Sequence, residues 1–492
     1  MSKTLQDFVE LHSPMFRSDR PLTKFGEDRK FKKGAKRFIV TAAQNGTPVD
    51  ETWWAVLLHM SEVLKAELLV IPIRYKNPTS HWSASASNEE YWVPEVAPYL
   101  WNRRVALNQN LTVLGDIKTQ PTAVSPLTGF EAFATSSSGI IGHTKVQLKA
   151  VPSPSNKMAK VMTTTGACTV PNYTDSRAGA VGEFHHSLSA VLVEIDSPQR
   201  FFMRHLHFDE KSGSCIDLDK RYYPNKVAKA PRALALVMGD THVDSADPAV
   251  IEATFGHGGI VPTLKPKHLV WHDLLDGYSM NPHHAGKPLN KVGKMLGHAG
   301  NVREEVQRAI KFIEQWTPQG TQSVVVASNH NDFLGRWIDS HDWRNDPMNA
   351  EFYLETALAM VRGTKFTTKG TEYPEAFAYW LRQAKLSNCR VLDMDESFVL
   401  EDVELGMHGN LGPNGVRGSI NNLRRISNKS IIGHSHTPGI EEGCYQVGTN
   451  TYLRLEYNKG ASSWLNADCV LNADGKRQLI IIVDGKWRLE PN

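Results

Sequence analysis

Apolar and polar residues fall in blocks along this chain, and from residue 38 onward the blocks have the lengths of strands and helices. The run at 38–42 predicts a strand, 52–66 a helix and 68–73 a second strand, which together make a βαβ unit. Further strands are expected at 105–114, 145–150, 159–163, 190–195 and 201–208, between loops rich in Ser, Thr, Gly and Pro. The stretch 135–145, TSSSGIIGHTK, lacks the spacing of a phosphate-binding loop and reads as a turn ahead of a strand. The adjacent His185 and His186 read as solvated loop residues. Character changes at 221–231, RYYPNKVAKAP, where a domain boundary is expected. Beyond it, strands at 233–237, 267–271, 323–327, 390–393, 403–406 and 430–432 alternate with helices at 302–316, 349–362 and 374–385, and strands over 479–487 close on Asp484-Gly485. No internal repeat is evident.

This pattern divides the chain into a basic arm (1–37), an α/β accessory or oligomerisation domain (38–225) and a second domain (226–492). Chemistry gathers in the second domain, where several strands end in His, Asp or Asn. In open α/β sheets the loops at the carboxyl ends of strands are where ligands bind. Asp240 and His242 follow the strand at 233–237, and residues two apart at a strand end point to the same side. Asp273 and Asp276 follow the next strand, then Asn329, His330 and Asp332, then His408, and finally His434 and His436. Asp240, His242, Asp273, Asn329, His408, His434 and His436 form an oxygen and imidazole pool large enough for two cations. That mix suits Mn, Fe, Zn or Ni better than Ca or Mg.

In their order the motifs Asp240-Thr-His242, His272-Asp-Leu-Leu-Asp276, Ser328-Asn-His330, His408 and Gly433-His-Ser-His436 resemble those of the calcineurin-like metallophosphoesterase family, over about 232–454. The resemblance implies a four-layer α-β-β-α sandwich preceded by a separate α/β domain. It implies a first metal on Asp240, His242, Asp273 and His436, and a second on Asp273, Asn329, His408 and His434, with Asp273 shared. His330 would then protonate the leaving oxygen while a hydroxide bridging the metals attacks phosphorus. Two positions depart from the family pattern. His272 stands where a glycine is usual, and Asn331 displaces the acidic residue that normally follows the catalytic histidine, leaving Asp332 or Asp276 to orient His330.

Composition narrows the setting. At 492 residues, 41% hydrophobic and 22% charged, the chain has the makeup of an ordinary globular protein of about two domains. No apolar run has the length of a membrane span, and 1–20 lacks the apolar core of a signal peptide, so a cytoplasmic protein is expected. The five scattered cysteines fit neither a disulfide framework nor a cysteine zinc site. A net charge of +3 is too small to identify a nucleic-acid binder, so local patches decide. The cationic loop 278–300 with His283, His284 and Lys287, then Arg336 beside Trp337 and Trp343, and the run from Arg417 to Lys429 can track and stack on a polynucleotide. The layout of the two halves is also similar to early DNA-degrading metallophosphatases of tailed bacteriophages, which implies a manganese-dependent DNase, homo-oligomeric, in the host cytoplasm. A nucleotidase and a non-catalytic metal-binding scaffold are the alternatives.

Overall fold

The computed structural model describes residues 29–73, 92–154, 157–281, 287–297, 299–368, 370–456 and 458–490. Its fold is mixed α/β, built on three large sheets. The first runs β12 (Val227–Lys229), β11 (Lys220–Tyr222), β10 (Ser214–Asp217), β9 (Phe201–Asp209), β8 (Ser189–Ile195), β1 (Arg37–Gln44) and β2 (Glu67–Ile73). The second runs β18 (Cys389–Val391), β15 (Gln322–Val325), β14 (His268–Trp271), β13 (Ala235–Val237), β24 (Asn466–Leu471) and β25 (Arg477–Ile482). The third starts with β19 (Val399–Leu400), β20 (Val403–Glu404), β21 (Lys429–Ile432), β23 (Cys444–Gln446) and β22 (Gly439–Glu441). It continues through β6 (Gln147–Val151), β7 (Lys160–Thr164), β5 (Ser138–Ile141), β4 (Leu111–Leu114) and β3 (Arg104–Asn108). A small hairpin, β16 (Lys365–Thr367) with β17 (Gly370–Glu372), stands apart.

Apolar residues from all three sheets share one core, among them Val40, Val191, Val113, Ile140, Val237, Val270, Ile431 and Ile481. The sheets are therefore stacked face to face. Helix α1 (Glu51–Val63), capped by Asp50, covers the outside of the first sheet through Trp53, Leu57 and Met60. On the outside of the second sheet lie α3 (Pro248–Phe255), α4 (Ile260–Leu264), α6 (Val302–Trp316), α7 (Phe333–Ser340) and α9 (Ala376–Gln383). The remaining helices named here are α2 (Arg177–Phe184), α5 (Pro288–Leu296), α8 (Ala350–Gly363) and α10 (Ile420–Leu423). Among the described residues no helix is long and apolar enough to cross a membrane.

What positions the site is strand direction. β13, β14, β15 and β18 are parallel, as are β20, β21 and β23, so the carboxyl ends of each set lie along one edge. The two edges meet where Asp240 bridges to Thr449, with Asp240 N donating to Gly448 O at 3.1 Å and Asn450 N to Asp240 O at 2.9 Å.

Several expectations change. The run 105–114 is a hairpin, because the Asn108 side chain accepts from Asn110 N at 2.9 Å and turns the chain there. The stretch 135–145 contains a buried strand, β5, rather than only a turn. His186 is tied to Tyr173 OH at 3.1 Å and Thr169 O at 2.8 Å instead of facing water. The boundary expected at 225/226 is bridged by the pairing of β6 with β22 inside one sheet. The topology also repeats itself, which the sequence pattern did not reveal: β3-β4-β5-β7-β6 and β19-β20-β21-β23-β22 have the same order.

Beside β8, Arg204 is buried and makes two bonds to Asp217, at 2.6 and 2.9 Å, and one to Glu194 at 2.8 Å. Replacing it with leucine strands two buried carboxylates, which costs about 3–5 kcal/mol, read from the denaturant midpoint. Burial works against ionised Glu194, but the Arg204 charge and hydrogen bonds from Arg204 and Arg37 hold its pKa below the ordinary 4.5. A lowered carboxylate adds stability that is full above the unfolded value and disappears as pH falls through the folded one. Wild type is therefore expected to lose stability progressively below pH 4.5, and Arg204→Leu to lose less over that range.

Candidate metal centre

Seven side chains from two sheets converge at the strand ends. Asp240 and His242 follow β13, Asp273 follows β14, Asn329 follows β15, His408 follows β20, and His434 and His436 follow β21. Asp240, Asp273, His242 and His408 are buried. Four of the seven have left-handed backbone, with φ of 39° at His242, 39° at Asp273, 77° at His434 and 57° at His436. Such strain in non-glycine residues costs about 1–3 kcal/mol each and persists only where the surroundings enforce it. Here His242 N donates to Asp273 O at 2.7 Å and Gly433 N to His408 O at 2.7 Å, locking the loops together.

The ring nitrogens meet face to face. His242 Nε2 lies 3.0 Å from His436 Nε2, and His436 Nε2 lies 3.1 Å from Asp240 Oδ2. His242 Nδ1 donates to Leu275 O at 3.0 Å, which places the proton on Nδ1 and turns the Nε2 lone pair into the cluster. On the other side, Asn329 Oδ1 is 3.1 Å from His408 Nε2 and 2.9 Å from His434 Nδ1, while His408 Nε2 is 3.0 Å from Asp273 Oδ2. Asp240 Oδ2 is buried, with the His436 ring nitrogen as its neighbour.

Charge follows the same logic. Burial would raise Asp240, but the charges of His408 and His436 bring it down to about 2. Asp273 likewise falls well below the carboxylate range, against burial, chiefly through His408 and His330. Burial pushes His242 down to about 3 and His272 to about 4, and it lowers His434, so their lone pairs are free at neutral pH. His408 moves up: burial opposes its charge, and Asp273 and Asp240 prevail. Two buried carboxylates demanding positive charge, with lone pairs around them, form a donor set for divalent cations.

His330 sits beside this cluster, its ring 4.4 Å from that of His242 and 4.5 Å from that of Phe333. Its Nδ1 bonds to the backbone oxygen of Asp276 at 2.8 Å, and its backbone N–H donates to Asp273 Oδ1 at 3.1 Å. Neither expected carboxylate orients the ring. That of Asp276 accepts from Ser245 at 2.9 Å, and that of Asp332 accepts from Arg336 at 2.7 Å on the exposed side of α7. Asn331 has a supporting role: its Oδ1 accepts from Leu275 N at 3.1 Å and its Nδ2 donates to Val326 O at 3.3 Å, tying the ends of β14 and β15.

Arg336 is held by Asp332, Trp337 is packed into the helix-side core, and Trp343 is 38% exposed. Lys287 and Arg417 are exposed, while His283 and His284 lie outside the described residues. Three supporting residues gave no motif signal. Trp464 lies with its ring 4.1 Å from that of His436, Ser245 holds Asp276, and Glu305 accepts from Gly277 N and Ser279 N at 2.5 and 2.9 Å. A cavity of about 300 Å³ opens beside His408, lined by Met394, Glu396, Asn410, Leu411 and Ile426. A larger one, about 540 Å³, lies at the opposite ends of the strands, between Arg232, Phe255, Lys265 and Trp316, away from this chemistry.

Among known proteins, protein A1 of Escherichia phage T5 is 31% identical over an alignment of 471 residues that covers 92% of this chain and 83% of that protein. No family model and no solved structure matches the chain.

His272 explains itself in this geometry. Its Nδ1 is 3.2 Å from His408 Nδ1, the nitrogen that must carry a proton and find an acceptor when His408 Nε2 turns its lone pair on a cation. Removing such a partner costs about 10–100-fold in metal affinity. His272→Gly is therefore expected to weaken divalent-cation binding by that factor in calorimetric titration, and His272→Asn, which keeps an acceptor near Nδ1, to retain most of it.

Proposed function

The chain belongs to the family of phage T5 protein A1, and from the cluster at its strand ends we propose that it is a divalent-metal-dependent phosphoesterase that hydrolyses nucleic acid. The observation that carries this reading is the convergence of Asp240, His242 and His436 on one side of Asp273, and of Asn329, His408 and His434 on the other. Asp240, His242, Asp273 and His436 would hold one cation, and Asp273, Asn329, His408 and His434 a second. Stacked sheets with helices outside agree with the four-layer architecture of calcineurin-like enzymes. Two such cations supply Lewis-acid charge for the phosphoryl oxygens and lower the pKa of water.

The chain's own residues do the rest. The backbone oxygen of Asp276 accepts from His330 Nδ1 and leaves Nε2 to face a substrate; in its doubly protonated form the ring would give the Nε2 proton to the leaving oxygen and end as the neutral Nδ1–H tautomer. Ser245 and Glu305 hold the loop that carries this carbonyl. Arg417, Lys287 and Arg336, all exposed, provide cationic surface for a polynucleotide backbone. A second reading, a nucleotidase, is favoured by the cavity of about 300 Å³ beside His408, at the lower end of the size range for small-molecule sites.

Incubation with single- and double-stranded DNA and with a nucleoside monophosphate, in manganese, separates these readings. DNA cleavage that falls by about 10²–10⁴-fold in His330→Ala, with metal affinity unchanged, is the expected result. Release of phosphate from the monophosphate alone would make the protein a nucleotidase. Cation binding without any turnover would reduce the centre to a scaffold.

A further inference from the structure

We propose that the chain is a fused duplication, in which the first half is a second copy of the metal-bearing unit that has lost its own centre and been closed over. Strand pairing carries the first part of the argument. β1 is parallel to β2 and antiparallel to β8, which pairs with β9; β13 is parallel to β14 and antiparallel to β24, which pairs with β25. In the shared sheet β3–β4, β4–β5, β5–β7 and β6–β7 are antiparallel, parallel, parallel and antiparallel, and β19–β20, β20–β21, β21–β23 and β22–β23 follow the same sequence.

Register agrees as well as order. Ile140 faces Thr163 as Ile431 faces Tyr445, and Leu111 faces Ser138 as Val403 faces Lys429. Leu148 faces Thr163 as Ile440 faces Tyr445, which makes Leu148 the counterpart of Ile440. These two residues pair with each other where β6 meets β22, and the flanking pairs Lys149–Gly439 and Gln147–Glu441 exchange under the same correspondence. A pseudo-twofold axis therefore passes between Leu148 and Ile440. The first helix of each half is capped by an aspartate, Asp50 or Asp247, whose N–H donates at 2.9 Å to Cys168 O or Asn450 O, again a corresponding pair. In sequence the trace is Ile140-Ile-Gly-His-Thr-Lys145 against Ile431-Ile-Gly-His-Ser-His436.

This correspondence shows what became of the first centre. A side chain at Gly433 would strike Asp240 and His272; at Gly142 it would strike Ala42 and Ile71. Ala42 thus stands for Asp240, Ile71 for His272, the next residue Pro72 for Asp273, and Lys145 for His436. Both carboxylates are gone. The space is filled by the chain itself: His143 Nε2 bonds to Gln120 O at 2.9 Å, Thr144 Oγ1 to Pro121 O at 3.3 Å, and Tyr173 OH to Thr144 Oγ1 at 3.0 Å. The buried Lys145 ammonium pairs with Glu442, from the turn between β22 and β23, at 2.9 Å. What the first copy still contributes is a wall. Ser153, just after β6, exchanges two backbone bonds with Ser462 at 3.0 and 2.9 Å, bracing the segment whose Trp464 lies against His436.

The count of centres rests on the metal reading above; the duplication does not. Manganese bound per chain, measured by elemental analysis after gel filtration, is expected to be two in wild type and none in Asp240→Ala/Asp273→Ala or Asp240→Asn/Asp273→Asn, each verified as folded by circular dichroism. Cations still bound when His242, His408, His434 and His436 are replaced by alanine as well would overturn the proposal, since the first half would then hold a working centre. A wild type that binds none would sink the metal reading alone. In that case an experimental structure still decides: the rotation carrying Ile140 onto Ile431 must also superpose β1, β2, β8 and β9 on β13, β14, β24 and β25, and failure to do so would refute the duplication.

Discussion

Two carboxylates buried at the meeting of two sheets set the terms for everything around them. Asp240 and Asp273 are withdrawn from water, and an ionised carboxylate in such a place is tolerated only with positive charge or several donors beside it. The chain answers with imidazoles, His436 Nε2 at 3.1 Å from Asp240 and His408 Nε2 at 3.0 Å from Asp273, and with backbone donors, the amide N–H of His434 to Asp240 and that of His330 to Asp273, each at 3.1 Å. Small residues make the approach possible. A side chain at Gly433 would sit 2.3 Å from Asp240 Oδ1, and one at Gly448 would sit 2.0 Å from Leu465 O. The ligand loops are strained because they must bring side chains from two sheets to one point, and a buried, cross-bonded setting is what sustains that strain.

Most of this centre was legible in the sequence because its ligands come in short, ordered motifs at the ends of apolar runs, and each run became a strand in a parallel set. Less visible was what supports them. Asn331 looks like a lost acid in the motif, whereas in the fold its amide ties two strand ends that lie far apart in sequence. His330 is oriented by a backbone carbonyl, which no side-chain pattern can encode. Helix α5 was read as loop because Pro, Gly and Lys interrupt it, and its apolar Leu289 and Leu296 are exposed rather than packed. α7 followed too closely on a ligand motif to be seen as a helix.

The first half was harder still. Its strands were largely foreseen, yet their correspondence with the second half was not, because register survives changes in side chain that erase a sequence signal. Valine, isoleucine, threonine and tyrosine all suit a pleated strand, so different side chains can hold the same register. Only where glycine is needed for close approach, at Gly142 and Gly433, did a run of letters persist.

The pairing of β6 with β22 joins residues near 148 to residues near 440. During synthesis, therefore, β6 emerges long before the strand that covers it. Until the second half has been made, the first presents an open sheet edge, with unpaired N–H and C=O groups, to any neighbouring nascent chain. Contacts of such long sequence separation also form slowly, because the loop must close before they return any energy. In a cell translating many copies at once, the yield of native protein is then governed by how long that edge stays uncovered, through crowding on the polysome and the pace of elongation.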